Sequence, residues 1–215
     1  MHRVVELLKR YPIAAVVFLG AVIRFIFLME YLSSPEWDQL VVDSLFHDRW
    51  AQSIAAGNLF GREVFFRAPF YIYVLGGLYA VFGHSLLAAR IFGHLVGLAT
   101  VLITYRLASR VFSKRVGIIA GLIHALYPIA VYFESELLVD SLFAMLTELT
   151  VLLLFVAFDK RSIKLYFLAG IVIGMAAITR PIILALVPLY LIWLLIASKP
   201  FKTGLISGAV LTTSM

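Results

Sequence analysis

The stretch that decides how this chain folds reads Ala68-Pro69-Phe70-Tyr71-Ile72-Tyr73-Val74-Leu75-Gly76-Gly77-Leu78-Tyr79-Ala80-Val81-Phe82-Gly83. It is apolar and uncharged, yet its 16 residues would reach only about 24 Å as an α-helix, short of a bilayer core of about 30 Å. Its three tyrosines favour the boundary between lipid and water. The stretch therefore predicts a juxtamembrane or re-entrant helix and not a membrane span.

The chain as a whole is far more apolar than a soluble domain. It is 63% hydrophobic and 14% charged, with a mean hydropathy of +1.02. Because the apolar runs are continuous, we predict an all-α integral membrane protein, a polytopic bundle of about six to seven transmembrane helices. The other apolar segments cover residues 12–32, 86–108, 116–133, 137–158, 165–179, 182–198 and 204 onward.

The basic residues set the predicted orientation. They gather before the first span and between later ones, as Arg3, Lys9, Arg10, Arg106, Arg110, Lys114, Arg115, Lys160, Arg161, Lys164, Lys199 and Lys202. The positive-inside rule places all of them in the cytoplasm, so the net charge of +6 indicates a lipid bilayer and no nucleic-acid partner. Only one crossing then fits between the first span and Arg106, which again makes 68–83 a helix on the outer face.

We therefore predict a multi-pass protein of the plasma (inner) membrane with a cytoplasmic N-terminus. Residues 1–215 form a single transmembrane module: a retained first span at 12–32, an outer loop with juxtamembrane helices at 33–85, and the remaining helices at 86–215. The last apolar segment is too short to span, so we expect a fragment of a longer protein or a truncated reading frame.

A polar island, residues 33–67, follows the first span. Within it, Asp43 to Ala56 predicts an amphipathic helix lying on the membrane, with an apolar stripe of Leu45, Phe46, Trp50 and Ile54 and a stop at Gly57-Asn58. Asp43 is either a general base for a hydroxyl acceptor or the N-cap of this helix. His47 and Asp48 indicate either a metal site or, more simply, a solvated helix face.

A second acidic group falls on the same predicted outer face. Glu134, Glu136 and Asp140 could hold a divalent cation, orient a sugar, pair with a basic residue, or form an ordinary polar turn. The metal, if any, stays unknown, and no cofactor is certain beyond a candidate divalent cation.

Arginines mark the predicted outer boundary. Arg67, Arg90 and Arg180 lie at the depth of a lipid phosphate, which arginine binds well, although each alone is also typical of an interfacial side chain. Arg24 and Glu148 fall inside predicted spans. Because charges in a bilayer are costly, we predict that these two pair or face a cavity.

The order of short motifs resembles one family of membrane enzymes. The motifs are Asp48-Arg49-Trp50-Ala51, Ile54-Ala55-Ala56-Gly57, Phe66-Arg67-Ala68-Pro69-Phe70-Tyr71, Phe82-Gly83-His84-Ser85, Ala88-Ala89-Arg90, Tyr127-Pro128 and Thr179-Arg180-Pro181. Together with the two acidic loops they resemble the membrane module of GT-C glycosyltransferases, closest to the protein O-mannosyltransferase and lipid A aminoarabinose-transferase group.

The resemblance implies a specific activity. Such enzymes move a sugar from a polyprenyl-phosphate carrier to a hydroxyl of a protein, lipid or glycan at the outer face. It implies Asp43 as the catalytic base, Glu134, Glu136, Asp140 and Asp48 as acids that build the site, and Arg180, Arg67 and Arg90 as ligands of the carrier phosphate. The protein mannosyltransferases have an Asp-Glu pair in the first loop, whereas Ser44 follows Asp43 here, so the acceptor stays open.

The alternative is a non-catalytic membrane module, such as a lipid-carrier transporter or an assembly subunit. Transporters often show inverted repeats with polar residues at the midplane. Here no repeat is evident and the polar residues gather at one face, which favours an enzyme.

Overall fold

The computed structural model describes residues 12–60, 67–198 and 201–215, and every regular element in these ranges is helical. Arg3, Lys9, Arg10, Lys199 and Phe66 of the predictions above lie outside the described residues. The helices are α1 Pro12–Leu32, α2 Val42–Ala55, α3 Phe70–Phe82, α4 Leu86–Val111, α5 Lys114–Leu126, α6 Pro128–Ser135, α7 Asp140–Lys160, α8 Ile163–Ala177, a 3₁₀ helix Pro181–Leu186, α9 Val187–Ala197 and α10 Phe201–Thr213.

Three of these helices are long and apolar enough to cross a membrane. They are α1, α4 and α7, and α5 with α6 makes a fourth if that bent pair is one span. The short apolar helices include α3, which has 13 residues and fits the prediction of a helix too short to span. The chain is thus an all-α membrane helix bundle. A count of six or seven spans depends on the shorter apolar helices and stays a prediction.

The predicted span at 116–133 is broken. α5 ends at Leu126 and α6 begins at Pro128, with a bend of 53° between them. Proline lacks a backbone N–H and its ring excludes the carbonyl four residues earlier, so it starts a new helix at its first turn. After the bend, α6 brings Glu134 into contact with Arg24 of α1.

The described residues form two compact units, and the first contains residues 12–60 and 71–142. Its apolar core joins α1, α4 and α5 through Val16, Val101 and Ala125. Gly117 lets α5 approach α4 closely, since a Cβ there would collide with the Ser109 hydroxyl.

In the same unit α2 packs on α3 through a polar and an apolar contact. The buried face of α2 carries Ser44, His47, Asp48, Ala51 and Ile54, which recur at helical spacing. Ile54 fills the space above Gly76 of α3. The predicted stop is confirmed: Gly57 has φ 95°, and the Asn58 N–H donates to the Ser53 carbonyl at 3.0 Å.

The second unit contains residues 67–70, 143–198 and 201–215. Its core is formed by α7, α8, α9 and α10, with Leu154, Tyr166, Ile173, Leu194 and Leu211 buried together. Gly170 and Gly174 allow close packing, because a Cβ at either would collide with the backbone of α10 or of the residues that follow it.

Two adjacent glycines test the packing of α2 on α3. A Cβ at Gly76 would lie 2.7 Å from Ile54 Cγ2, whereas a Cβ at Gly77 meets nothing within 4 Å. We expect Gly76→Ala to lower the free energy of unfolding by about 1–3 kcal/mol through overpacking. Gly77→Ala should be neutral or raise it by up to about 1 kcal/mol, because alanine is the better helix former. SDS titration of both purified variants measures this, and equal effects would contradict the packing.

Candidate active site

The centre of the first unit is a buried ion pair between Arg24 of α1 and Glu134 of α6. Arg24 Nε donates to Glu134 Oε2 at 2.7 Å and Nη2 donates to Oε1 at 2.5 Å, a two-bond geometry that arginine and carboxylate share. Nη1 donates to the carbonyls of Gly20 and Ala125. Both side chains are 2% exposed. The charged partner of Arg24 is thus Glu134. The alternative in which Arg24 pairs with Glu148 is wrong.

Helix α4 receives Glu134 on a face made of small and polar residues. His94 Nδ1 donates to Glu134 Oε2 at 3.0 Å, and with that tautomer its Nε2 accepts from the Ser135 hydroxyl at 3.0 Å. A Cβ at Gly93 or Gly97 would collide with the Glu134 carbonyl or carboxylate. Glu134 can therefore enter only because α4 carries glycine at both positions.

Arg90 lies on the same face of α4, four residues before His94, and is 1% exposed. Its Nε donates to the Ser135 carbonyl at 3.1 Å and Nη2 to the Trp37 carbonyl at 2.7 Å. The guanidinium carbon lies 3.9 Å from the Trp37 ring centroid. Arg90 thus joins the polar island to the second acidic loop, and a lipid phosphate would reach it only if Trp37 moved.

The remaining residues of this loop are fixed by two other helices. Glu136 Oε1 accepts from the Tyr31 hydroxyl at 2.9 Å, seven residues and two turns from Arg24 on α1. The Leu137 carbonyl accepts from His47 Nδ1 at 2.7 Å. Residues 134–137, called the anchored segment below, are therefore held by α1, α2 and α4 together.

His47 and Asp48 are buried, so the prediction of a solvated helix face is wrong. They are 2% and 4% exposed. Asp48 Oδ1 accepts from the Tyr79 hydroxyl at 2.6 Å and from His84 Nε2 at 2.9 Å, and Oδ2 accepts from Gln52 at 2.6 Å. Burial, together with this hydrogen bond to Asp48, raises the pKa of Tyr79. The tyrosine stays a donor, and Asp48 joins α2 to α3.

Asp43 lies in the first turn of α2 and is half-buried. The helix begins at Val42 and its N-cap is Val41. Of the two roles predicted for Asp43, that of N-cap is therefore wrong. Ser44 occupies the position of the missing second acid. It is 3% exposed, and its hydroxyl donates to the Val41 carbonyl at 2.8 Å and accepts from the Val41 N–H at 3.2 Å. Position 44 thus serves the start of α2.

The backbone entering Asp43 is strained. Val42 has φ 46°, in the left-handed region that β-branched residues rarely adopt. Its side chain is 82% exposed and so is not buried in the fold. Strain of this kind persists where the surroundings fix the backbone, and it clusters at functional sites.

Arg67 and Arg180 both belong to the second unit. The Phe70 N–H donates to the Ile178 carbonyl at 3.0 Å, and these residues lie three and two positions from the two arginines. Arg180 is exposed, with its guanidinium carbon 5.8 Å from the Phe143 ring centroid. Arg67 and Arg180, two of the three predicted phosphate ligands, therefore lie near the two ends of one backbone hydrogen bond.

A metal site does not form from the predicted acids. Both carboxylate oxygens of Glu134 already accept hydrogen bonds, from Arg24 and from His94. Asp140 lies apart from Glu134, in the first turn of α7. Within residues 12–60, 67–198 and 201–215 no group of three His, Cys, Asp or Glu residues has metal-binding geometry.

Comparison with known proteins identifies the family. The model of dolichyl-phosphate-mannose-protein mannosyltransferases matches residues 67–215, more than half of the chain. The chain belongs to this mannosyltransferase family. Neither a search of curated proteins nor one of solved structures finds a match. The family implies a membrane glycosyltransferase with a polyprenyl-phosphate-linked sugar donor.

The family match covers some predicted site residues and not others. It includes Arg67, Arg90, Arg180 and the second acidic loop, but it begins after Asp43 and Asp48. The mannosyltransferase resemblance of the polar island therefore depends on its own short motifs.

The Arg24–Glu134 pair of this mannosyltransferase-family chain can be tested by a double-mutant cycle. Arg24→Gln or Glu134→Gln leaves a buried charge without its partner, so each should lower the free energy of unfolding by about 3–5 kcal/mol. The double variant should lose clearly less than the sum of the two. SDS titration measures all three.

Arg49→Gln is the matched control, because Arg49 is exposed on α2. It should change stability by no more than about 0.5 kcal/mol. Single losses at Arg24 and Glu134 that are as small as this control, or strictly additive losses, would contradict the buried pair.

Proposed function

We propose that this protein transfers mannose from a polyprenyl-phosphate carrier to a hydroxyl acceptor at the outer membrane face, with Asp43 as general base. The family match over residues 67–215 carries the reaction class and the donor. The finer assignment to mannose follows the family's description. The acceptor is a protein, lipid or glycan hydroxyl.

The environment of Asp43 supports its role as base. Two buried side chains fix helix α2. His47 binds the anchored segment, and Asp48 binds α3. Asp43 lies in the first turn of this helix, directly after Val42 with its left-handed φ of 46°. A carboxylate held in this way is preorganised to accept a proton, whereas a side chain needed only for capping would lie at the N-cap position.

The proposed reaction is a single inverting displacement. The acceptor oxygen forms a bond to the anomeric carbon, the bond from that carbon to the phosphate oxygen breaks, and the hydroxyl proton moves to Asp43. The departing polyprenyl phosphate gains a negative charge. Arg67 and Arg180 would stabilise this charge, since arginine matches phosphate geometry and such electrostatic contacts act most strongly in a partly dry site.

Asp43→Asn tests the base. The change keeps shape and removes the proton acceptor, so kcat for transfer from polyprenyl-phospho-mannose should fall by about 10²–10⁴ while the unfolding midpoint stays unchanged. Transfer of radiolabelled mannose in proteoliposomes measures this, with polyprenyl-phospho-aminoarabinose as a second donor.

Glu36→Gln is the matched control, because Glu36 is an exposed acid of the same island. It should keep full activity. Full turnover in Asp43→Asn would reject Asp43 as base, and release of no sugar from any polyprenyl donor by the wild-type chain would favour the non-catalytic module instead.

Arg67→Gln and Arg180→Gln test the carrier phosphate. Loss of a charge-assisted hydrogen bond of about 1.5–3 kcal/mol should raise KM for the donor by about ten- to a hundred-fold. KM for the acceptor should stay unchanged. Arg49→Gln should leave both constants unchanged, and a donor KM unaffected in both arginine variants would reject the assignment.

A further inference from the structure

A cavity of about 520 Å³ lies in the second unit, and none of the residues proposed above for transfer lines it. It opens where α7 turns into α8 and where α9 is followed by α10. Its polar side carries the hydroxyls of Ser198, Thr203 and Ser207, of which Ser207 is 2% exposed. Its apolar side carries Ile163 and Ile206, both largely exposed. A ligand with a polar head and an apolar tail would fit this lining.

Arg161 provides the positive charge of the cavity lining and occupies an unusual position. Its φ is 48°, and the Ser162 N–H donates to the Ala157 carbonyl at 3.1 Å. Helix α2 ends in the same arrangement, with Gly57 at the corresponding residue. Glycine is the ordinary residue in this left-handed position. The chain thus accepts backbone strain to place an arginine at the cavity.

The surrounding charges favour an anion. Lys160, Lys164 and Lys202 are exposed and each adjoins a lining residue in sequence, whereas the described residues of the lining include one carboxylate, Asp159. Helices α8 and α10 begin at this end, and neither has an acidic residue in its first turn. The positive ends of the two helix dipoles add positive potential there.

Exposed apolar side chains on α8 and α10, the helices that line the cavity, indicate a lipid and not a free ion. Phe167 of α8 and Leu205 of α10 are 52% and 50% exposed. Acyl chains can cover such side chains while the headgroup enters the polar side. Basic pockets between membrane helices commonly bind anionic lipid headgroups in this way.

We propose that this cavity binds the phosphate headgroup of an anionic phospholipid, with Arg161 as the charged ligand of the phosphate and Ser198 and Thr203 as hydroxyl donors. The site is distinct from the proposed carrier site at Arg67 and Arg180. It does not depend on the proposed glycosyl transfer.

The test uses the full chain in nanodiscs of phosphatidylcholine with a minor fraction of phosphatidylglycerol. Native mass spectrometry after detergent release gives the enrichment of phosphatidylglycerol among the retained lipids. Arg161→Gly removes the charge and also relieves the left-handed strain, so the variant should fold at least as well as the wild type. Its phosphatidylglycerol enrichment should fall by about five-fold, while Arg161→Lys should keep most of it.

Arg115→Gln is the control for general surface charge, because Arg115 is exposed in the first turn of α5 of the first unit. It should leave the enrichment unchanged. Unchanged enrichment in Arg161→Gly, or an equal fall in Arg115→Gln, would overturn the proposal. The phospholipid assignment is also wrong if inorganic phosphate alone raises the unfolding midpoint in an Arg161-dependent way and phosphatidylglycerol is not enriched.

Discussion

The buried pair of Arg24 and Glu134 is the constraint on which the first unit depends. An arginine two turns inside an apolar helix is costly unless every donor is used, and here Nε and Nη2 bind one carboxylate while Nη1 binds two carbonyls. The pair fixes the end of α6 beside Arg24 of α1. It also requires Gly93 and Gly97 on α4, because a larger residue at either position would collide with Glu134.

From that pair the chain builds the face of the first unit that carries its acidic residues. The anchored segment 134–137 binds α1, α2 and α4 in turn, and its contact with His47 fixes the helix that carries Asp43. The acidic residues of this face therefore divide into two groups by their surroundings. Glu134 and Asp48 are buried and hydrogen-bonded, so they hold the fold. Asp43 is half-buried at a helix start, which is compatible with its proposed role as proton acceptor.

Much of this arrangement follows from sequence because helix periodicity and proline are local signals. The apolar segments predict the helices, the length of 68–83 predicts a helix that cannot span, and Gly57-Asn58 predicts where α2 stops. The partner of Arg24 could not be predicted in the same way. Depth along two straight spans favours Glu148, but Pro128 breaks the intervening helix and brings Glu134 back toward α1. The spacing of Arg90, Gly93, His94 and Gly97 on one face of α4 was the available signal.

His47 and Asp48 show a second limit. Judged by the helix alone, their polar face should be solvated, and the stripe with Phe46 and Trp50 should be covered. The structure buries the polar face instead, because Tyr79, His84, Gln52 and the Leu137 carbonyl supply its hydrogen bonds. Apart from Gln52, which lies one helical turn after Asp48, those partners come from distant positions in the chain, so no local pattern reveals them.

A structure of the protein with a non-reactive polyprenyl-phospho-mannose tests the account most directly. We expect the phosphate within hydrogen-bond distance of Arg67 and Arg180, the anchored segment unchanged, and Asp43 as the carboxylate nearest the anomeric carbon. A sugar that faces Glu136 or Asp140 while Asp43 points away, or a phosphate bound elsewhere than at the two arginines, would contradict it.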